Sequence, residues 1–136
     1  MSIKVPFFDY PRLWLDNRKE LISIIDNVSS SGGFIMQKAV SDFEQELAKY
    51  SGCNYAVGVG NATDAMEIIF NFLKLPQNSK VLVPSHTMLA TASAAKTAGL
   101  NPVPVDVDSE SYMLEFDQLK KCNLDNVSAV MITQLN

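Results

Sequence analysis

The stretch Gly58-Val59-Gly60-Asn61-Ala62-Thr63-Asp64-Ala65 offers the clearest chemistry in this sequence. An apolar run, Tyr55–Val59, reads as a short strand ahead of it, and a helical pattern, Asn61–Leu73, follows. Glycines at such a joint let backbone approach a ligand closely, and the first turn of a helix carries N–H groups without partners of their own. Together they form an anion site. Asn61 suits the cap, with Asp64 three residues on in the manner of a capping box, although Asp stands where Glu or Gln is usual. Thr63 adds a hydroxyl to the first turn. A plain, well-capped helix after a tight turn has the same residues, and this segment alone does not separate the two. A dinucleotide fingerprint fits poorly. Thr63 stands where a third glycine belongs, and the next strand ends Val83-Pro84-Ser85-His86 without an acid. A Walker-type phosphate loop fails because no Gly-Lys-Ser/Thr follows.

A second segment, Pro84-Ser85-His86-Thr87-Met88-Leu89-Ala90-Thr91, again joins a strand to a helix. It places Ser85, His86 and Thr87 at the carboxyl edge, where open α/β sheets bind ligands. Ser85 or Thr87 equally suits a helix cap. His86 has no carboxylate nearby in sequence, so a catalytic triad is unsupported, and a lone histidine is more often structural. As the single histidine, it also excludes a metal site built on several histidines, and no metal is expected. Asp106 and Asp108 point to one face of a strand. Asp108 reads as a turn residue, and Asp106 is left without a role. Ser31-Gly32-Gly33-Phe34-Ile35 sets a glycine pair before an aromatic residue. That suits a loop closing over a ligand or reaching a partner subunit, and equally a hinge whose Phe34 docks on the core.

The elements that must position these residues alternate. With 136 residues, 47% hydrophobic and 19% charged, the chain is one ordinary domain by size with a packed core. A net charge of -4 without a basic stripe argues against nucleic acid. No apolar run reaches the ~18 residues that span a bilayer. The first six residues contain no signal-peptide core, so a cytoplasmic protein is expected. Cys53 and Cys122 read as free, buried thiols. Residues 1–11 read as an extended arm and 12–29 as a helix with Leu13, Leu21, Ile24, Ile25 and Val28 inward. A helix over Lys38–Tyr50 carries the apolar stripe Val40, Phe43, Leu47 and Tyr50 and ends at Ser51-Gly52. The Asn61–Leu73 helix buries Ala65, Met66, Ile69, Phe72 and Leu73. Strands follow at Lys80–Val83, Val103–Val107 and Val127–Ile132, and helices at Thr87–Ala98, stopped by Gly99, and Phe116–Lys121. Alternation with unbroken apolar strands predicts an α/β fold whose sheet is mainly parallel and covered on both faces. Pro102 and Pro104 each remove a backbone donor, so their strand lies near an edge or pairs through its other residues. The sheet looks unfinished at Asn136, and a longer polypeptide is expected.

In order along the chain, these segments resemble the DegT/StrS family of sugar aminotransferases, a fold-type I group of pyridoxal-phosphate enzymes. The likeness runs through Val5-Pro6-Phe7, Ser31–Ile35 with Phe43-Glu44, Tyr50-Ser51-Gly52 and Val57–Ala65. It continues through Val83–Thr87, Ala90-Thr91, Ala98-Gly99, Pro102-Val103 and Val105–Asp108. The resemblance implies that residues 1–136 are the N-terminal portion of a large domain: an arm, helix and glycine loop over 1–35, and an α/β part over 36–136. It implies that Asn61, Ala62, Thr63 and Asp64 hold the phosphate of pyridoxal 5'-phosphate through backbone N–H groups and the Thr63 hydroxyl. Met88 stands where the family often has an aromatic residue stacked on the pyridine ring, and its thioether can lie flat there. Gln134 falls where many members carry a histidine near the ring, and Gly33, Phe34 and His86 would meet substrate. The Schiff-base lysine and the aspartate that pairs with the pyridinium nitrogen would lie beyond Asn136, because Lys74, Lys80 and Lys96 occupy no matching motif position. This piece alone is therefore expected to be inactive. The complete protein would move an amino group from an amino-acid donor, glutamate, to a keto- or aldehydo-nucleotide sugar in cell-surface polysaccharide or glycan biosynthesis. It would act as a homodimer with a shared active site. Two alternatives stand beside this: a sugar dehydratase of the same family, with histidine for the lysine, and a non-catalytic α/β fragment.

Overall fold

The structure, a computed structural model, describes residues 5–135. The first four residues of the expected arm, and Asn136, lie outside them. The chain divides into two compact units after Gly58.

The first unit holds α1 (Tyr10–Ser30) and α2 (Lys38–Ser51). The arm is shorter than the sequence suggests, because α1 begins at Tyr10. The Asp9 carboxylate accepts the Arg12 N–H at 3.2 Å, and Pro11 sits in the first turn, where its missing N–H costs nothing. α2 stops at Ser51 because Gly52 takes φ 66°, and the Cys53 N–H closes back on the Ala48 carbonyl at 2.9 Å. The stripe on α2 is present but exposed; among the described residues of this unit only Ala48 is buried. The expected inward residues of α1 are also exposed, apart from the half-buried Val28. Tyr55–Val59 is not a strand. Its apolar content does not supply the neighbouring ladder that a strand requires, and Gly58 N–H instead donates to the Glu44 carboxylate at 2.6 Å. Cys53 is exposed rather than buried.

The second unit contains α3 (Ala62–Leu73), β1 (Lys80–Pro84), α4 (Leu89–Thr97), β2 (Asn101–Val105), α5 (Phe116–Leu119) and β3 (Val127–Val130). The three strands are parallel, in the order β2-β1-β3. β1 is central and its interior positions Val81, Leu82 and Val83 are almost fully buried. One sheet face packs Val81 and Val83 against Phe70 of α3 and Ala94 and Ala95 of α4. The other packs Leu82 and Val105 against Leu114. Phe70 replaces the expected Ile69, Phe72 and Leu73 as the buried anchor of α3, and those three are exposed. The helix is rotated so that Met66 and Phe70, one turn apart, face β1. Cys122 is half-buried.

The β2 prolines sit on an edge. Asn101 N–H donates to Ser79 O and Val105 O accepts from Ser85 N–H, both at 2.8 Å. The odd-numbered residues of β2 therefore face β1, and the missing donors of Pro102 and Pro104 fall on the outer side. α4 ends as expected. Gly99 takes φ 80° and the Leu100 N–H reaches the Ala95 carbonyl at 3.0 Å. No helix among the described residues is long and apolar enough to cross a membrane.

Candidate functional site

The chain passes from β1 to β2 on one side and then crosses to β3 on the other. In open α/β sheets such a reversal is where ligands bind, in the crevice outside the carboxyl ends of the two diverging strands, here β1 and β3. α3 runs into the amino end of β1 through residues 74–79 and packs along α4, which leaves the carboxyl end. Both helices thus run antiparallel to β1 and present their N-termini at the carboxyl edge.

At the start of α3, Asn61 Oδ1 accepts the Asp64 N–H at 3.0 Å, and Asn61 Nδ2 donates to the Asp64 carboxylate at 2.9 Å. Asn61 is the cap that the sequence indicates, but the carboxylate answers the side chain rather than the backbone of Asn61. Asp64 N–H is thereby occupied. The N–H groups of Ala62 and Thr63 and the Thr63 hydroxyl have no protein partner among the described residues. Gly60 precedes them with little room to spare, since an added Cβ would lie 3.0 Å from Asp64 Oδ2. Two free amides and a hydroxyl at the positive end of a 12-residue helix form a donor set suited to a phosphate. Pyridoxal phosphate carries such a group, so these residues fit its anionic end.

The β1–α4 loop is built differently. Thr87 is not the cap of α4. That position is taken by Met88, which makes no side-chain cap bond and is 75% exposed. The Thr87 hydroxyl bonds sideways instead, to Thr91 Oγ1 at 2.8 Å and across the crevice to Thr133 Oγ1 at 3.3 Å. Ser85, Thr87 and Met88 also line a cavity of about 210 Å³ floored by Val83, Ala92 and Pro104. His86 is exposed and meets the Tyr112 ring edge-on, with centroids 5.9 Å apart. Tyr112 sits at φ 55° in a loop held by Asp108, whose Oδ1 accepts the Glu110 and Ser111 N–H groups at 2.9 Å each. The Ser111 N–H first, and the Glu110 N–H next, stabilise the carboxylate and hold its pKa below the ordinary aspartate value. Asp108 is therefore the turn residue expected. Asp106 is exposed beside a separate cavity with Gln118 and Lys121. Gln134 is exposed, one residue beyond Thr133.

Gly33 and Phe34 belong to the first unit. Gly33 N–H closes on the Val28 carbonyl at 3.3 Å, and Phe34 is 75% exposed, so it docks on no core there. Sequence reasoning missed Thr133 and Tyr112, whose partners are distant along the chain. The i, i+4 spacing of Thr87 and Thr91 was visible.

The chain has relatives among known proteins. The chain is 30% identical over 131 residues to a protein named dTDP-3-amino-3,6-dideoxy-alpha-D-galactopyranose transaminase from Aneurinibacillus thermoaerophilus, covering 96% of this chain and 36% of that protein. It is 34% identical over 112 residues to dTDP-3-amino-3,4,6-trideoxy-alpha-D-glucose transaminase of Streptomyces venezuelae, covering 82% and 30% respectively. The crystal structure of S. venezuelae DesV in complex with a ketimine intermediate superposes with a TM-score of 0.90 at 29% identity, over 98% of this chain and 36% of that one. The chain thus spans about a third of the length of these relatives, and it shares its α/β fold with the DesV structure over nearly its whole length. The family description "DegT/DnrJ/EryC1/StrS aminotransferase family" matches residues 15–136, and the chain belongs to that family.

Proposed function

We propose that a protein of the relatives' full length carrying this chain is a pyridoxal-phosphate-dependent aminotransferase. It takes its amino group from an amino acid, glutamate, and delivers it to a keto- or aldehydo-nucleotide sugar destined for a cell-surface polysaccharide or glycan. The bound coenzyme supplies an electron sink for moving the amino group. This chain's residues bind and orient it. The amides of Ala62 and Thr63 and the Thr63 hydroxyl donate to its phosphate. Asn61, by occupying the Asp64 N–H and carboxylate, holds that turn in shape. Met88 offers its thioether to the ring face and Gln134 an amide donor to the phenolic oxygen. Gly33, Phe34 and His86 meet substrate. The same reading makes the full-length protein a cytoplasmic homodimer with a shared active site. It also leaves residues 1–136 alone unable to transaminate, since Lys74, Lys80 and Lys96 occupy no motif position from which to bond the coenzyme's carbonyl carbon.

The observation carrying this reading is the unpartnered donor set at the start of α3, within a family match. The test is coenzyme titration of the full-length protein. We expect a visible absorption band that borohydride makes permanent. Thr63→Ala removes one hydrogen bond to a charged group, ~1.5–3 kcal/mol, so its Kd for pyridoxal phosphate should rise roughly 10- to 150-fold. A full-length protein that binds no coenzyme overturns the reading.

A further inference from the structure

We propose that Thr133 is a positioning residue for the coenzyme crevice, acting through a chain of three threonine hydroxyls that ties the end of β3 to the loop after β1. The proposal rests on the functional reading above. Thr91 is the buried end of the chain, 6% exposed, and a buried hydroxyl needs a partner. Thr87 supplies it at 2.8 Å and then reaches Thr133 at 3.3 Å, over a sequence separation of 46 residues. Residues 127–130 form the strand, and Met131 N–H still bonds the Leu82 carbonyl at 2.8 Å, so Thr133 stands just past the last backbone tie between β3 and β1. Beyond that tie nothing in the ladder fixes how far the two strand ends diverge. The threonine chain does.

Its placement gives this a consequence. Met88 follows Thr87 directly and Gln134 follows Thr133 directly. The two residues assigned to the coenzyme ring are thus the immediate neighbours of the two hydroxyls that bond across the crevice. Each hydroxyl donates once and can also accept, so the chain can be polarised in either direction. With Thr91 donating to Thr87 and Thr87 to Thr133, the Thr133 proton is left to face the crevice. Losing the Thr87–Thr133 bond frees Met88 and Gln134 to separate, which loosens the ring site without opening the core beneath it.

The experiment uses the full-length protein and three variants: Thr133→Val, which keeps the shape and loses the hydroxyl, Thr133→Ser, which keeps the hydroxyl, and Thr133→Ala as a second deletion. A hydrogen bond of this kind is worth roughly a 3- to 10-fold change in equilibrium constant. We expect Thr133→Val and Thr133→Ala to weaken pyridoxal-phosphate binding by about that factor. The visible circular dichroism of the bound coenzyme should also change, and Thr133→Ser should match the parent in both. The melting temperature of the coenzyme-free protein should fall by no more than a few degrees. Unchanged affinity and dichroism in both deletions overturn the proposal while leaving the functional reading intact. So does a large loss of coenzyme-free stability in both deletions, because the hydroxyl is then part of the fold and not of the site. A parent protein that binds no coenzyme overturns the functional reading and this proposal together.

Discussion

Two helices start at the same edge of the sheet, and they are held there in different ways. α3 is secured locally at its start: Asn61 accepts the Asp64 N–H three residues on, and the sequence between them is all the cap needs. Farther along, the single large side chain of Phe70 joins it to the core cluster of Val81, Val83, Ala94 and Ala95. α4 has no side-chain cap. It is held by Ala94 and Ala95, both fully buried against the sheet, and by the Thr91 hydroxyl, which Thr87 links to Thr133 far along the chain. The difference matters for function. A local cap leaves the remaining amides of α3 free in a fixed arrangement, ready for an anion. A long-range tie makes the loop ahead of α4 depend on where β3 ends, so the ring side of the proposed site is only as well placed as the sheet.

The most forceful way to break the contrast is to remove the anchor of α3. Phe70 is 6% exposed and belongs to the core cluster that holds Val81, Val83, Ala94, Ala95 and Leu100. Phe70→Ala should cost about 3–5 kcal/mol, the usual range for deleting a buried phenyl ring. Chemical denaturation of the full-length protein measures it. A cost under about 1 kcal/mol would mean that Phe70 is not the anchor. Next in size is the cap itself. Asn61→Ala should cost about 1 kcal/mol. Met88→Ala, at the corresponding position of α4, should stay within about 0.5 kcal/mol, because no side-chain cap bond exists there to lose. Equal losses at the two positions would erase the distinction between the helices.

What was legible in the sequence follows the same division. Devices that close within a few residues could be read: the Asn61 cap, the Gly52 and Gly99 helix ends, the Asp108 turn and the strand–helix alternation. Each depends on side-chain chemistry at fixed short spacing. The Tyr55–Val59 strand was misread because a strand is completed by a neighbour, and apolar composition says nothing of whether one is there. The buried side of α3 was misread because Ile68, Ile69, Phe70, Phe72 and Leu73 crowd that turn of the helix. With apolar residues on most sides, periodicity does not choose a face. The Thr87–Thr133 bond was beyond reach, since only the parallel register of β1 and β3 brings those residues together. The free donors at the start of α3 were local and visible, whereas the tie between the β1–α4 loop and the end of β3 was not.

The smallest effect separates two local devices of the same design. Asn61 and Asp108 each use a side-chain oxygen to accept backbone N–H groups two or three residues on, but only Asp108 titrates. Its pKa in the folded chain lies below the ordinary value because the Ser111 and Glu110 N–H groups favour the carboxylate. A group with a depressed folded pKa contributes stability that is whole above its unfolded value, about 3.9, and is lost as pH falls through the folded value. Asp108→Asn keeps an acceptor oxygen and removes the charge. The gap in melting temperature between the parent and Asp108→Asn should therefore be small but constant from about pH 5 upward, and it should close as the pH drops below about 4. The gap for Asn61→Ala should stay flat over the same range, because an amide takes up no proton there. Melting curves of the full-length protein between pH 3 and 7 decide it. An Asp108→Asn gap that widens in acid would mean that the turn is held by something other than its carboxylate.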